Sequence, residues 1–380
     1  MRRTIILALS LALCCGCFEV NVTAPQVGNG PAGGSDKSVS PNGALRGWAP
    51  SQLPVSGGWK DVAIATAGQI FLDAADGTLF YAYDTLAYPK QPVEMGARLQ
   101  SAAGFGGIQD VELAFVLDGK TVSTARTDES GIAKIKWTPP KAGNYDFLVK
   151  VQDVDKDELE PLMQLQPAPL LVAARDKGTQ FVVIDLDHTV VDASFFHVLL
   201  GGATPAADSV RVTKRLAQKY GLIYLTQRPD LLVTKSKGWL RSNDYPPGPL
   251  LVSGIRELAS GSREYKQARL KAVMQSYPRV RIGIGDKISD AQVYLELGLT
   301  AYLLPHYDQD PQEMLAMARQ IEDLDDAAGK GKLQVVRDWR QIEAGIFSGR
   351  QFPADDYASW LGQQARQLEA QRQRERDEDD

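Results

Sequence analysis

Hydrophobic and polar positions alternate in the first part of the chain that can form a core. Between about residues 62 and 151, apolar side chains recur at every second position. This period of two is typical of strands that bury one face. The clearest series are Val93, Met95, Ala97 and Leu99, then Ala133, Ile135 and Trp137, then Tyr145, Phe147, Val149 and Val151. The pattern predicts an all-β domain.

Turn residues separate these strands. Asp118 and Gly119 tolerate positive φ and lie between two apolar runs, as a tight hairpin requires. Further turns are predicted at residues 128–131 and 139–144. The succession "DGKTVSTARTDESGIAKIKWTPPKAGNYDFLVKV" resembles bacterial immunoglobulin-like modules. It contains no catalytic cluster, so a spacer or packing role and a ligand-binding or adhesive role both stay open.

The pattern changes after a proline-containing connector at residues 161–169. Continuous apolar runs follow, which are typical of strands buried on both faces of a parallel sheet. They occupy residues 181–184, 222–225 and 301–304, and further strands are predicted at residues 281–284 and 333–336. Helices are predicted at residues 264–275 and 311–325, and Gln227-Arg228-Pro229 is expected to open another. The fold class is therefore a doubly wound α/β parallel-sheet domain preceded by an all-β immunoglobulin-like sandwich.

The N-terminus has the layout of a bacterial secretory signal peptide. Arg2 and Arg3 precede an apolar run at residues 5–13 that is too short to span a bilayer. Residues 13–17 resemble a lipobox in which Cys17 receives the lipid, and Phe18 favours the outer membrane. All three cysteines lie within these seventeen residues, which leaves them no disulfide role in the mature chain. An ordinary signal peptide with incidental cysteines is the alternative.

Composition divides the rest of the chain. Residues 28–58 contain eight Gly, four Pro and five Ser, which cannot bury a core and predict a flexible tether. The predicted organisation is signal peptide 1–17, tether 18–60, immunoglobulin-like domain 61–175, α/β domain 176–350, and a charged helical or disordered tail 351–380. A formal net charge of −5 argues against a general nucleic-acid binder.

Carboxylates follow two of the predicted parallel strands. Asp185 and Asp187 come directly after residues 181–184, and at i and i+2 they point the same way, into the crevice where open α/β sheets bind ligands. Asp286 and Asp290 follow residues 281–284 at the same sheet edge. Buried like charges are costly unless a cation neutralises them, and oxygen ligands without a His or Cys cluster indicate Mg²⁺.

Two further polar residues complete an ordered series. Thr226 follows residues 222–225, and Lys266 lies near the start of the helix predicted at 264–275. The whole series resembles the haloacid dehalogenase superfamily of phosphohydrolases, whose motifs are DxDxT/V, a terminal Ser/Thr, a Lys and GDxxxD. The resemblance covers residues 180–346. Within it, "YLTQRP", "WLRSNDYPPGPLLVS", "EYKQARLKAVMQ" and "GIGDKISDAQVYLELGL" look most like lipin-type and actin-patch-type phosphatidate phosphatases.

The resemblance implies a role for each matched residue. Asp185 would attack phosphorus to form an aspartyl-phosphate, and Asp187 would act as general acid and base while its carbonyl helps to bind the metal. The metal residues would be Asp185, Asp187, Asp286 and Asp290. The residues that contact substrate would be Thr226, Arg228 and Lys266.

Some assignments have alternatives. Lys271 competes with Lys266 for the lysine role, and Arg228 could equally be a surface residue. His188 occupies the variable position of the first motif and is expected to be a neighbour of the catalytic residues rather than one of them. His197 and His306 receive no role.

The resulting expectation is a lipid-anchored, Mg²⁺-dependent phosphomonoester hydrolase of the outer membrane that acts on phosphatidate or a related phospholipid. Its partners would be that substrate and the membrane. The alternatives are a broad-specificity periplasmic acid phosphatase and a non-catalytic phosphatidate-binding or adhesive surface lipoprotein. Protein partners are not indicated.

Overall fold

A computed structural model describes residues 77–101, 105–154, 157–192, 203–254, 261–328 and 331–379. The predicted signal peptide with Cys17, the predicted tether and His197 lie outside these residues. Within them, none of the helices combines the length and the apolar character that crossing a bilayer requires.

The first half of the described chain contains eight strands. They are β1 (Thr78–Tyr83), β2 (Thr85–Ala87), β3 (Val93–Ser101), β4 (Val111–Leu117), β5 (Lys120–Arg126), β6 (Ile132–Trp137), β7 (Gly143–Val154) and β8 (Ala168–Ala174). They form a three-stranded sheet in the order β1-β3-β6 and a five-stranded sheet in the order β2-β8-β7-β4-β5. A 3₁₀ helix covers Asp157–Gln164.

The predicted alternation and the predicted hairpin are confirmed. Met95, Ala97 and Leu99 are buried on β3, with less buried residues between Met95 and Leu99. Strands β4 and β5 pair antiparallel up to Leu117 and Lys120, and the two residues between them, Asp118 and Gly119, have φ of 49° and 77°. Positive φ at both positions matches the twist of the flanking strands.

The second half alternates strands with helices. Its strands are β9 (Phe181–Ile184), β10 (Gly221–Pro229), β11 (Leu250–Ser253), β12 (Val280–Gly285), β13 (Thr300–Leu303) and β14 (Leu333–Val335). Its helices are α1 (Ser209–Ala217), α2 (Val233–Ser242), α3 (Ser262–Ser276), α4 (Ile288–Glu296), α5 (Pro311–Ala328), α6 (Trp339–Ser348) and α7 (Ala354–Asp379).

These six strands form one parallel sheet in the order β11-β10-β9-β12-β13-β14. Numbered within the sheet, the order is 3-2-1-4-5-6, which belongs to doubly wound folds. The chain runs outward from β9 in one direction and then returns to build the other side from β12. Such a sheet opens a crevice at the carboxyl ends of the two central strands, β9 and β12.

The prediction that residues 227–229 open a helix is wrong. They are the end of β10, which keeps its pairing with β11 through Pro229 and Ser253 after a register shift. A 3₁₀ turn at Asp230–Leu232 then leads into α2. The proline therefore ends an extended segment rather than starting a helix.

Strand β8, which was not predicted from the sequence, begins at the end of the proline-containing connector. It pairs in parallel with β2, and both adjoin a buried carboxylate, Asp84. Asp84 accepts hydrogen bonds from the backbone N–H of Leu171 at 2.8 Å and of Leu250 at 3.0 Å, and pairs with Lys237 at 2.6 Å. These three donors stabilise the buried charge of Asp84, and no local sequence pattern predicts their contacts with it.

By its internal contacts the chain divides into two compact units that are not contiguous in sequence. Within the described residues, one comprises those at 77–82, 96–135 and 148–169, and the other those at 83–95, 136–147 and 170–379. The larger unit holds the parallel sheet and a continuous core that includes Val183, Ile223 and Ile321. The predicted boundary near residue 175 stays a prediction.

Candidate active site

The central strands bring the two predicted acidic motifs together. Asp185 follows β9 and Asp286 follows β12, and these strands pair in register at Ile184 and Ile284. The backbone N–H of Asp185 donates to the carbonyl of Ile284 at 2.9 Å. Because neighbouring parallel strands end at one edge, residues one hundred and one positions apart lie side by side there.

Lys266 lies between two of the carboxylates. Its Nζ donates to Oδ1 of Asp185 and to Oδ1 of Asp290, each at 2.7 Å. The lysine side chain is only 3% exposed and its partners are equally buried. Burial by itself would lower the pKa of Lys266, but Asp185 and Asp290 outweigh it and hold that pKa well above its ordinary value. Lys266 is therefore a fixed cation inside the acidic cluster.

Three carboxylates converge on one point. Asp185, Asp286 and Asp290 each offer an oxygen, and these oxygens lie within 4.8 Å of one another. With Lys266 the group carries a formal charge of −2 when all members are ionised. Burial and the neighbouring aspartates raise the pKa of Asp185 to about 6 against the opposing effect of Lys266, and the same causes raise the pKa of Asp286 well above its usual range.

The cluster fits a divalent cation. Oδ1 of Asp286 and Oδ2 of Asp290 are buried without a hydrogen-bond partner. A buried acceptor left unsatisfied is costly, and oxygen-only donors at this spacing suit a hard cation such as Mg²⁺. A dication would balance the formal charge of −2. The predicted ligands Asp185, Asp286 and Asp290 are thus brought together, while the carboxylate of Asp187 is directed elsewhere.

Glycine makes room for this convergence. A Cβ on Gly285 would lie 2.8 Å from both Cβ and Oδ2 of Asp290, and one on Gly283 would overlap the ring of Tyr294. Both glycines belong to β12, whose close packing against α4 brings Asp290 to the sheet edge. The glycines of "GIGD" are therefore required by packing beside the acidic cluster.

A second group forms around Asp187. Arg228 donates from Nη2 to Oδ1 of Asp187 at 2.6 Å and from Nε to Oδ2 at 3.1 Å, which is a two-point contact. Its Nη1 donates to Oγ of Ser236 at 3.0 Å. The hydroxyl of Thr226 donates to Oδ2 of Asp187 at 3.5 Å and accepts from the N–H of Arg228 at 3.2 Å.

The extension of β10 explains this grouping. Thr226 and Arg228 lie at i and i+2 of a strand, so their side chains share a face, whereas a helix would have turned them apart. Ser253, at the end of β11, donates from Oγ to the carbonyl of Gln227 at 2.7 Å and supports the segment. Neither serine was predicted from the sequence. Ser253 could have been found as a hydroxyl that directly follows the apolar residues 250–252, whereas no sequence pattern indicates Ser236.

Other candidate residues are also located. Lys271 lies on the exposed side of α3, away from the buried position of Lys266 on the same helix. His188, with φ of 55°, stacks on His306 with 3.9 Å between ring centroids. Burial and His306 lower the pKa of His188 to about 4 despite Asp187, so it is neutral near pH 7.

One family model matches the part of the chain that carries these residues. Residues 182–303, 122 of the 380, match the model described as "PITM 1-3, LNS2 domain". The matched segment contains Asp185, Asp187, Thr226, Lys266 and both aspartates after β12. This match agrees with the lipin-type part of the resemblance. No curated protein is significantly similar to the chain.

Solved structures resemble parts of the chain at low identity. The D00-D0 domain of Intimin is 17% identical over 26% of this chain and 46% of that one, with a TM-score of 0.19. The Pnkp1/Rnl/Hen1 RNA repair complex is 17% identical over 42% of this chain and 58% of that one, with a TM-score of 0.28. The Ig1-2 module of the Drosophila receptor tyrosine phosphatase DLAR is 13% identical over 30% of this chain and 63% of that one, with a TM-score of 0.19. The chain spans less than two thirds of each of these structures, and TM-scores of this size assign neither fold nor activity.

Proposed function

We propose that this chain is a Mg²⁺-dependent phosphomonoester hydrolase of the haloacid dehalogenase type that acts on phosphatidate or a related phospholipid. The observation that carries the proposal is the buried cluster of Asp185, Asp286 and Asp290 with Lys266, at the crevice of a doubly wound sheet. The match to the LNS2 model over the same residues supports a phosphatidate phosphatase-like activity.

In the proposed reaction Asp185 is the nucleophile. One of its oxygens attacks phosphorus while the bond from phosphorus to the alcohol oxygen breaks, which leaves an aspartyl-phosphate. Lys266 holds Oδ1 of Asp185 by a hydrogen bond, so the direction of the remaining oxygen is set before substrate arrives. Asp185, Asp286 and Asp290 would hold the cation with the backbone carbonyl of Asp187. Bound Mg²⁺ supplies positive charge that reduces the repulsion between the carboxylate and the phosphate.

Asp187 is the proposed general acid and base. It protonates the departing alcohol oxygen, then takes a proton from the water that attacks phosphorus, which releases phosphate and restores Asp185. Its side chain is 20% exposed, against 5% for Asp185, which suits a group that exchanges protons with a leaving group and water. Thr226 and Lys266 would bind the phosphoryl oxygens.

The substrate proposal joins the site to the N-terminus. A lipid on Cys17 and the predicted tether would keep the enzyme near membrane phospholipid at the outer membrane and raise its local concentration. The domain at residues 61–175 would serve as a spacer or as a binding module.

Phosphate release by the full chain tests the proposal. We expect turnover of phosphatidate in mixed micelles with Mg²⁺, loss of turnover with excess chelator, and loss with Asp185→Asn. More than about a tenth of residual activity in that variant would contradict the assignment of the nucleophile, because removing one costs several powers of ten. Preference for soluble nucleotides would favour the broad-specificity phosphatase, and phosphatidate binding without turnover would favour the binding module.

The membrane part has its own experiment. Cys17→Ser, released in soluble form, should hydrolyse vesicle phosphatidate much more slowly than the lipidated protein and a small soluble phosphomonoester at the same rate. Equal rates on vesicles at matched enzyme concentration would leave the anchor with a purely locational role.

A further inference from the structure

The Arg228 guanidinium is committed to other protein groups. It makes a two-point contact with the Asp187 carboxylate and a third contact with Ser236 of α2. Its side chain is 2% exposed, whereas that of Asp187 is 20% exposed. The carboxylate is therefore the member of the pair that is more accessible to solvent.

This geometry limits the motion of Asp187. Arg228 presents a rigid planar fork, and contact with both carboxylate oxygens fixes the plane of the carboxylate as well as its position. Thr226 adds a longer contact to Oδ2. Arg228 Nη1 in turn donates a hydrogen bond to Ser236 of helix α2. The packed helix therefore fixes the guanidinium, and the guanidinium fixes the orientation of the Asp187 carboxylate.

We propose that Arg228, held by Ser236, is a positioning residue that orients the Asp187 carboxylate for proton transfer, and that it does not bind the substrate phosphate. The inference rests on the proposed function, because Asp187 needs an orientation only if it transfers protons. Proton transfer depends on the correct placement of the acid relative to the leaving oxygen. A loosened Asp187 should therefore harm the protonation of the leaving group specifically.

The test compares two substrates in the full chain. An alkyl phosphate has a poor leaving group that needs protonation, while p-nitrophenyl phosphate needs little. We expect Arg228→Gln to lower kcat for the alkyl phosphate by about 10- to 100-fold, less than the roughly 10²- to 10⁴-fold of a complete loss of general acid catalysis, with KM nearly unchanged. For p-nitrophenyl phosphate kcat should fall by less than about 3-fold, since that leaving group needs little acid assistance.

Two further variants separate position from charge. Arg228→Lys keeps the positive charge and loses the fork, so it should not rescue kcat for the alkyl phosphate. Ser236→Ala keeps the charge and the fork of Arg228 and removes one hydrogen bond to it. It should therefore lower kcat for the alkyl phosphate selectively, by a smaller factor than Arg228→Gln. It also keeps the test usable if loss of the buried arginine prevents folding. Arg241→Gln is the matched control, because this arginine of α2 has a side chain that is 75% exposed.

A double variant provides the decisive comparison. If Arg228 acts through Asp187, adding Arg228→Gln to Asp187→Asn should change kcat for the alkyl phosphate by less than about 2-fold, since coupled residues are not additive. A rise in KM of equal size for both substrates, with rescue by lysine, would show phosphate binding and overturn the proposal. So would equal losses of kcat on both substrates. If the wild-type protein releases no phosphate from phosphatidate in mixed micelles with Mg²⁺, the proposed function itself is wrong, whatever its activity on these two substrates.

Discussion

Replacing Asp185 by Asn should stabilise the metal-free protein, which is the opposite of what most buried substitutions do. The aspartate is almost fully buried beside Asp286 and Asp290, and Lys266 and Lys287 only partly offset the three carboxylates. Asn has nearly the same shape and keeps an oxygen that can accept from Lys266. It carries no charge, so the repulsion within the cluster is reduced.

The pKa of Asp185 sets the size of this effect. Burial and its acidic neighbours raise that pKa from an ordinary 3.8 to about 6. The native state then binds a proton more tightly than the unfolded state, so this carboxyl's contribution to stability is full below about pH 4 and is lost as pH rises to about 6. A shift of about 2 units corresponds to about 3 kcal/mol at neutral pH, at about 1.4 kcal/mol per unit. Asn has no such loss, so the variant should gain up to that amount.

Magnesium should reduce the stability advantage of the variant. A ligand that binds only the native state stabilises it by about 2.7 kcal/mol at 100 times its Kd. The wild-type protein has three carboxylates for the cation and the variant has two. We therefore expect Mg²⁺ to raise the free energy of unfolding of the wild-type protein more than that of Asp185→Asn.

Urea unfolding at pH 4.5, 6 and 8, in chelator and in saturating Mg²⁺, measures these quantities. In chelator the advantage of the variant should grow with pH and level off above about pH 7. Asp118→Asn, an exposed aspartate in the β4–β5 turn, is the control and should show no such dependence. A variant that is less stable than wild type in chelator at pH 8, or a difference that is independent of pH, would refute the reasoning about the buried cluster.

Three other substitutions, with Lys271→Met as a control, test further features of the domain. Lys266→Met should destabilise the protein by about 3–5 kcal/mol in chelator, since it leaves buried carboxylates unpaired, whereas Lys271→Met should stay within about 0.5 kcal/mol by urea unfolding. Gly285→Ala places a Cβ 2.8 Å from Asp290 and should cost about 1–3 kcal/mol; it should also move the Mg²⁺ midpoint in thermal-shift titrations to higher concentration, and an unchanged midpoint would contradict the packing argument. Asp84→Ala should lose about 3–5 kcal/mol in urea unfolding, because Lys237 and two backbone N–H groups lose their partner; a loss below 1 kcal/mol would show that water replaces the carboxylate.

Local patterns were sufficient for most of the parallel sheet. Segments rich in apolar residues marked β9, β12, β13 and β14 to within about two residues, because a strand buried on both faces is apolar at most positions, although β12 also carries the exposed Arg281. The period of two likewise marked β3, β6 and β7. The extension of β10 through Pro229 was missed, since a strand that pairs on one side only tolerates a proline that a sequence pattern assigns to a turn or helix start.

The sequence by itself determined that the acidic residues meet. Asp185 and Asp286 each follow a buried parallel strand, and such strands end at a common edge whatever the loops between them do. It did not determine which lysine lies among these aspartates, because Lys266 and Lys271 differ only in the side of α3 that they occupy. The packing of that helix buries Lys266.

Tertiary structure alone decided the partners of the remaining site residues. Arg228 reaches Asp187 because β10 stays extended past the end of β9, and His188 meets His306 because a left-handed residue and the segment after β13 converge. Spacing along a chain specifies the face of an element on which a side chain lies. Contacts between side chains on different elements depend on where each element ends and how it packs, and those are properties of the folded chain.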